Sequence, residues 1–411
     1  MSTSVLSRRR FLAAVVAGAI GPAAWHPVSR ALGALAVPQP GYGPLQPADA
    51  NGVMLPVGFR SRIIARAGFP VGQHDYFWRP FPEGAGTFPT GDGGWVLAVN
   101  SENPPPVDVP GSALGAVSAV RFGATGAIVD AYQILSGTRA NCAGGATPWG
   151  TWLSCEEFDL GPGNAGLVWE CDPFGRRPAV PRPALGSFKH EAVAVDVADR
   201  RLYLSEDQPD GLLYRFTPSH WGDLSEGLLE AAQWDESTGL VTWHRVPDPS
   251  AATTPTRRQV PSATRFDGGE GCTWFAGTVY LTTKGDDRLW AYDTATMRLR
   301  VLYEAPATDP VLSGVDNVAV HPPTGDVYVA EDGGNMEVVI VGPDGGVSPF
   351  VRLPGPEHGV ANPTPLPTTS EVTGLAFSPD GTRLYFNSQR AYGLGVTYEV
   401  RGPFRGTHLN P

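Results

Sequence analysis

The sequence predicts an all-β protein, and three observations point there. There are 51 Gly and 41 Pro among 411 residues, a density of turn formers that leaves little room for long helices. Short segments alternate apolar and polar residues, as half-buried strands do. A hairpin-like unit also recurs at a fixed spacing. The hydrophobic content of 42% suits a large globular core rather than a disordered chain.

Taken in order, the chain opens on Ser7-Arg8-Arg9-Arg10-Phe11-Leu12 and an apolar run from Ala13 to Ala24. The run is too short and too rich in small residues to make a stable membrane span. Paired arginines before such a run have the form of a twin-arginine export signal, which implies the twin-arginine machinery as a partner. Ala34-Leu35-Ala36 offers a cleavage site, so the expected division is a signal over 1–36, an extended Pro/Gly-rich lead-in over 37–58, and one domain over 59–411. Strands are expected at Ser61–Arg66, Trp95–Asn100, Val117–Phe122, Ile128–Ile134 and Gly166–Cys171.

The repeat follows. Glu191 to Asp196 passes a turn and returns as Leu202 to Asp207; Asp316 to His321 returns as Val327 to Asp332; Glu371 to Asp380 returns as Leu384 to Asn387. Glu270 to Lys284 is a looser copy, and a divergent unit ends at Val99-Asn100-Ser101-Glu102. Asn141 to Glu156, Glu191 to Glu206 and Asp316 to Glu331 are each fifteen residues apart, and Glu371 to Asn387 sixteen. With the unit at Asn141 the count is six. Six four-stranded units around an axis make a six-bladed β-propeller with short helical and loop insertions. Its inner strands would gather these acids at one mouth of the channel, where unpaired carboxylates repel and call for cations. The insertions are 219–236, with a short helix expected over Asp223 to Ala232, a Pro/Ser/Thr loop over 247–263, and a Pro-rich loop from Gly355 to Thr369.

One stretch carries the densest chemistry. Asn141 to Glu157 reads N-C-A-G-G-A-T-P-W-G-T-W-L-S-C-E-E, a hairpin whose ends return to the same rim. It brings Cys142 toward Glu156 and Glu157, a soft thiolate beside hard carboxylates, which is ligand chemistry for a transition metal with calcium-like neighbours. Four cysteines, Cys142, Cys155, Cys171 and Cys272, allow three pairings in an exported protein. Cys155 and Cys171, on successive strands, are placed to face each other. A formal charge of −11 and only two lysines, Lys189 and Lys284, leave no basic run for nucleic acid or an anionic membrane. No G-x-S-x-G elbow, P-loop or H-E-x-x-H motif is present.

The Asn141–Glu157 segment resembles the hallmark of the PhoX-type alkaline phosphatase family. The likeness extends to His190-Glu191-Ala192, Ser205-Glu206-Asp207, Asp316-Asn317-Val318, Ala330-Glu331-Asp332-Gly333 and the closing Thr397 to Phe404. What the resemblance implies is an iron–calcium cluster in the channel of a six-bladed propeller, acting on a small phosphate ester. By motif, Cys142 matches the cluster cysteine, and Glu157, Glu191 and Glu270 match carboxylate ligands; Asp316 and Glu371 stand at corresponding blade positions and are implied calcium ligands. The family pattern F-x-R-x-E is broken, because Phe266-Asp267-Gly268-Gly269-Glu270 puts glycine at the arginine's place. Restoring arginine at 268 is expected to raise monoester turnover unless that residue needs positive φ. Arg265, five residues from Glu270, is expected on the other side of the strand. Two alternatives stay open on the residues: a non-catalytic propeller whose metals only staple the blades, which the lost arginine favours, and a calcium-dependent lactonase-like hydrolase, which has no use for Cys142.

Overall fold

The computed structural model describes residues 40–103, 115–359 and 370–407. The twin-arginine segment, its apolar run and the cleavage site lie outside them. The strands form six separate antiparallel sheets. The first holds β2 (Pro82–Pro89), β3 (Trp95–Ser101), β4 (Gly115–Phe122) and β5 (Ile128–Thr138). The second holds β6 (Asn141–Ala146), β7 (Trp152–Glu156), β8 (Val168–Cys171) and β9 (Val180–Pro181). The third has five strands, β10 (His190–Asp196), β11 (Arg201–Glu206), β12 (Leu213–His220), β13 (Asp223–Trp234) and β14 (Val241–Arg245). The fourth runs β15 (Gly269–Phe275), β16 (Thr278–Thr283), β17 (Arg288–Asp293) and β18 (Arg298–Glu304). The fifth runs β19 (Val315–Val320), β20 (Val327–Glu331), β21 (Glu337–Val341) and β22 (Val347–Arg352). The sixth joins β23 (Val372–Phe377), β24 (Arg383–Ser388) and β25 (Val396–Arg401) to β1 (Arg60–Arg66), which pairs with β25.

The first strand of each blade touches the first strands of both neighbours, in the closed order β2, β6, β10, β15, β19, β23 and back to β2. The molecule is therefore a six-bladed β-propeller. Strand β1 closes the ring by completing the blade that the chain's end begins, so no sheet edge opens between first and last blades. Apolar residues fill the gaps between blades; one such cluster combines Tyr328, Ile340 and Phe350 of the fifth blade with Leu384, Phe386 and Tyr398 of the sixth. Ahead of β1, Val53 and Leu55 bury in that cluster and Met54 bridges to Arg352.

Two expectations are corrected. Asp223 to Ala232 is not a helix but most of β13, paired with both β12 and β14. Its Leu and Glu content suits a helix, yet two flanking strands satisfy its backbone and bury Leu224, Leu229 and Ala231, so tertiary pairing overrides propensity. Cys155 and Cys171 do not face each other: Trp152 is opposite Cys171, and Cys155 is opposite Val168. All four cysteines are free and buried. The 247–263 loop contains one helical turn, Thr256–Gln259.

Candidate metal centre

Each first strand carries a one-residue bulge just inside the same mouth of the channel. Asn141 pairs with Glu156, but the next pair is Gly144 with Ser154; His190–Glu206 is followed by Val193–Leu204, and Gly269–Thr283 by Cys272–Leu281. The irregularity recurs after Val315–Glu331, Pro82–Ser101 and Thr373–Asn387. A bulge interrupts the ladder and re-aims the side chains beside it. Here it falls at Glu83, Cys142, Glu191, Glu270 and Asp316, while Glu371 stands immediately before β23. A second set of side chains follows the end of each returning strand: Glu102, Glu157, Asp207, Lys284, Asp332 and Gln389.

Neighbouring blades hold the bulges in place. Asn100 donates to the carbonyls of Cys142 and Ala143, both at 2.8 Å, and receives Trp152 Nε1 at 2.8 Å. Ser205 donates to the carbonyl of Glu270 at 2.5 Å, Thr282 to that of Asp316, and Asn387 to that of Glu83 at 2.8 Å. In these four cases a buried side chain of one blade fixes the ring residue of the next. The first acid of each acidic pair turns away from the mouth. Glu156 accepts the backbone N–H groups of Arg139 and Leu167, and Glu331 those of Ser313, Asn335 and Glu337. Glu206 accepts from Leu212 N and Tyr214 Oη. Glu157, Asp207 and Asp332 are left for the mouth.

The ring is electrostatically tense. Cys142 Sγ donates to Glu191 Oε1 at 3.2 Å, and burial, then Glu191 and the surrounding carboxylates, push its thiol pKa up. Glu191 is fully buried and raised by desolvation, then by Glu270, Glu157, Asp316 and Glu83. Burial likewise raises Asp316 to about 7 and Glu102 to about 8. Four overlapping sets place donor atoms within 4.8 Å of one another: Glu83–Glu102–Cys142, Cys142–Glu157–Glu191, Glu83–Glu191–Asp316 and Asp316–Asp332–Glu371. Among the described residues, the buried Glu191 Oε2 has no hydrogen-bond partner. Such an orphaned oxygen calls for a ligand, and the donor chemistry fits cations: one sulfur for a transition metal, the rest hard oxygens suited to calcium.

Comparison with known proteins fits this geometry. The family profile described as alkaline phosphatase PhoX matches residues 124–301 and 287–391, more than half of the chain. The chain belongs to the PhoX alkaline phosphatase family. Pseudomonas fluorescens PhoX, solved in complex with vanadate as a transition-state analogue, superposes with a TM-score of 0.71 at 17% identity, covering 90% of this chain and 99% of that one. The PQQ domain of Coprinopsis cinerea pyranose dehydrogenase superposes at 0.50 with 12% identity, covering 89% and 98%; at such identities the likeness is one of fold. No curated protein matches the sequence.

Among the residues that the PhoX resemblance implies as ligands, Cys142, Glu157, Glu191, Asp316 and Glu371 fall within the four donor sets. Glu270 lies outside them; its Oε1 takes Lys284 Nζ at 2.7 Å. Glu83, Glu102 and Asp332 join the sets without having been singled out as ligands. Asp332 ends a repeated acidic pair and had a signal in the sequence. Glu83 and Glu102 are nineteen residues apart, because β2 and β3 have eight and seven residues against six and five in β6 and β7, so the fifteen-residue spacing misses them. Gly268 has φ +67°, the left-handed region where arginine is strained. Arginine there is therefore not a neutral restoration of the family pattern. Arg265 is exposed and donates to the Arg257 carbonyl at 2.6 Å, away from the ring.

Proposed function

We propose that the protein is an exported, metal-dependent phosphatase that hydrolyses phosphate esters at the acidic mouth of the propeller. The observation that carries this reading is the pairing of Cys142 with the fully buried Glu191, whose other oxygen, Oε2, has no partner among the described residues, inside a ring of carboxylates, in a chain of the PhoX family. Cys142, Glu157 and Glu191 would hold iron on the sulfur side; Asp316, Asp332 and Glu371, with Glu83 and Glu102, would hold calcium. Bound there, these cations would polarise phosphate oxygens and stabilise the charge that develops as the P–O bond breaks.

The protein's own part is to hold the donors still. Asn317 Nδ2 donates to Asp316 Oδ1 at 2.8 Å and to Glu83 Oε1 at 3.2 Å, so one amide orients two ring carboxylates. Gln389 Nε2 does the same for Glu83 and Glu102, at 3.0 and 2.7 Å. Groups fixed before substrate arrives cost no reorganisation during the reaction. Below the ring, Gly84, Ala143, Gly144, Ala192 and Gly271 line a cavity of only about 40 Å³, so an ester would approach from the acidic side.

The test is elemental analysis of protein from the exported fraction together with turnover of an aryl phosphate. Iron, calcium and hydrolysis are expected. Metals without turnover would favour a metal-stapled binding propeller, the reading that glycine at 268 supports. A lactonase-like reading leaves the Cys142–Glu191 contact without a use. Export is proposed through the twin-arginine route, and replacing Arg8 and Arg9 by lysine should retain precursor in the cytoplasm; unchanged export of that double variant would refute the route. Among the described residues, no helix is long and apolar enough to cross a membrane.

A further inference from the structure

Of the chain's 30 basic side chains only two are lysines, and both stand at the mouth of the channel. Lys284 takes the position after a returning strand that four other blades give to Glu102, Glu157, Asp207 and Asp332. Its Nζ lies 2.7 Å from Glu270 Oε1 and 3.2 Å from Asp332 Oδ2. Lys189, just before β10, lies 2.7 Å from Glu157 Oε1 and 2.5 Å from Asp207 Oδ2. Both side chains remain open to solvent, 34% and 26% exposed, above a Glu270 side chain that is only 3% exposed.

Lys284 is also tied to the glycine that breaks the family pattern. Its backbone N–H donates to Gly268 O at 2.8 Å. A Cβ built on Gly268 would sit 3.9 Å from Lys284 Cβ and 3.3 Å from Asp207 Oδ1. The space where an arginine stem would begin at 268 thus adjoins the stem of Lys284. We propose that Lys284, with Lys189 beside it, is the cationic grip for the phosphate group of the ester, supplied from the facing side of the β15–β16 hairpin instead of from residue 268. This rests on the phosphatase reading. An ammonium offers a compact charge and three donors, which suits a phosphate oxygen without imposing the fixed plane of a guanidinium fork. Cations on the ring would take over the carboxylates that the lysines now neutralise, releasing both amines toward an anion at the mouth.

The experiment uses the mature protein with its iron and calcium content measured, and compares wild type with Lys284→Met, Lys284→Arg and Lys189→Met. Inorganic phosphate binding is read by calorimetry, and KM and phosphate inhibition with an aryl phosphate. Lys284→Met is expected to keep its metals and lose phosphate affinity by roughly ten- to a hundredfold, the scale of one charged hydrogen bond, with KM and the phosphate inhibition constant rising together. Lys189→Met should show a smaller loss, and Lys284→Arg should recover most of it. Should the methionine variant fail to fold, Lys284→Gln, which keeps a donor for Glu270, carries the same test. Unchanged phosphate affinity in a fully metallated variant overturns the proposal, as does a loss that only tracks lost metal. A wild-type protein that binds phosphate through Lys284 but turns over no aryl phosphate would refute the phosphatase reading and leave the grip standing.

Discussion

A thiol 3.2 Å from a buried carboxylate has two ways to settle. It keeps its proton and donates to Glu191, or it yields the proton to a cation that both groups share. Burial and four nearby acids, Glu191, Glu157, Glu83 and Glu102, oppose the free thiolate, so only a metal makes Cys142 anionic at neutral pH. Cys142→Ser is therefore expected to lower iron content and remove the visible sulfur-to-iron absorption, while leaving calcium largely in place. Protein that holds calcium but no iron, with an unchanged spectrum in the serine variant, would make the cysteine structural. Asn100 matters at the same scale although it touches no implied ligand's side chain. It holds two bulge carbonyls and the Trp152 indole, and sequence offered no hint of this, because an asparagine near a strand end reads as turn chemistry.

At the scale of elements, the inner hairpins explain what sequence could and could not reveal. The fifteen-residue spacing was legible because it measures a hairpin: Asn141 is opposite Glu156 in the sheet. The bulges were not, since one extra residue in a strand of Gly and Ala leaves no mark on apolar alternation. Nor was the sorting of each acidic pair into an inward clasp, such as Glu331, and a mouth residue, such as Asp332, which depends on backbone donors that the alternation does not mark: Ser313 ahead of β19, and Asn335 and Glu337 where the chain turns into β21. Glycine at the bulges follows from how closely the first strands approach. A Cβ on Gly84 would meet Ala143 Cα at 2.4 Å, and one on Gly271 would meet Val318 N at 2.5 Å, both backbone atoms that cannot step aside. Gly271→Ala should spread the fourth and fifth blades and cost about 1–3 kcal/mol, the usual range for overpacking. Because Glu270 and Asp316 flank that contact, metal content should fall too. Denaturant titration alongside elemental analysis checks both, and an unaffected variant would mean that the blades are not held by this approach.

For the whole molecule, the ring is a liability that the fold cannot remove alone. Acids from all six blades meet, and among the described residues Lys189, Lys284 and Arg390 pair with them, in a chain of formal charge −11. Two kinds of positive partner can relieve the rest: metal ions, or protons. The raised carboxyl pKa values describe the second, since Asp316 reaches about 7 and Glu102 about 8 from ordinary values of 3.8 and 4.5. A carboxyl whose folded pKa is raised holds its proton in the folded state after the unfolded chain has released it. Its contribution is therefore full below about pH 4 and is lost as pH rises through the folded value. In chelator-treated protein the melting temperature should then decline between about pH 5 and pH 8. Metal-loaded protein, whose ring is neutralised by cations, should show a much smaller decline. The gap between the two melting curves should widen toward pH 8, with activity lost wherever chelation is complete. Curves that coincide at pH 8 would show that cations contribute nothing to holding the six blades together.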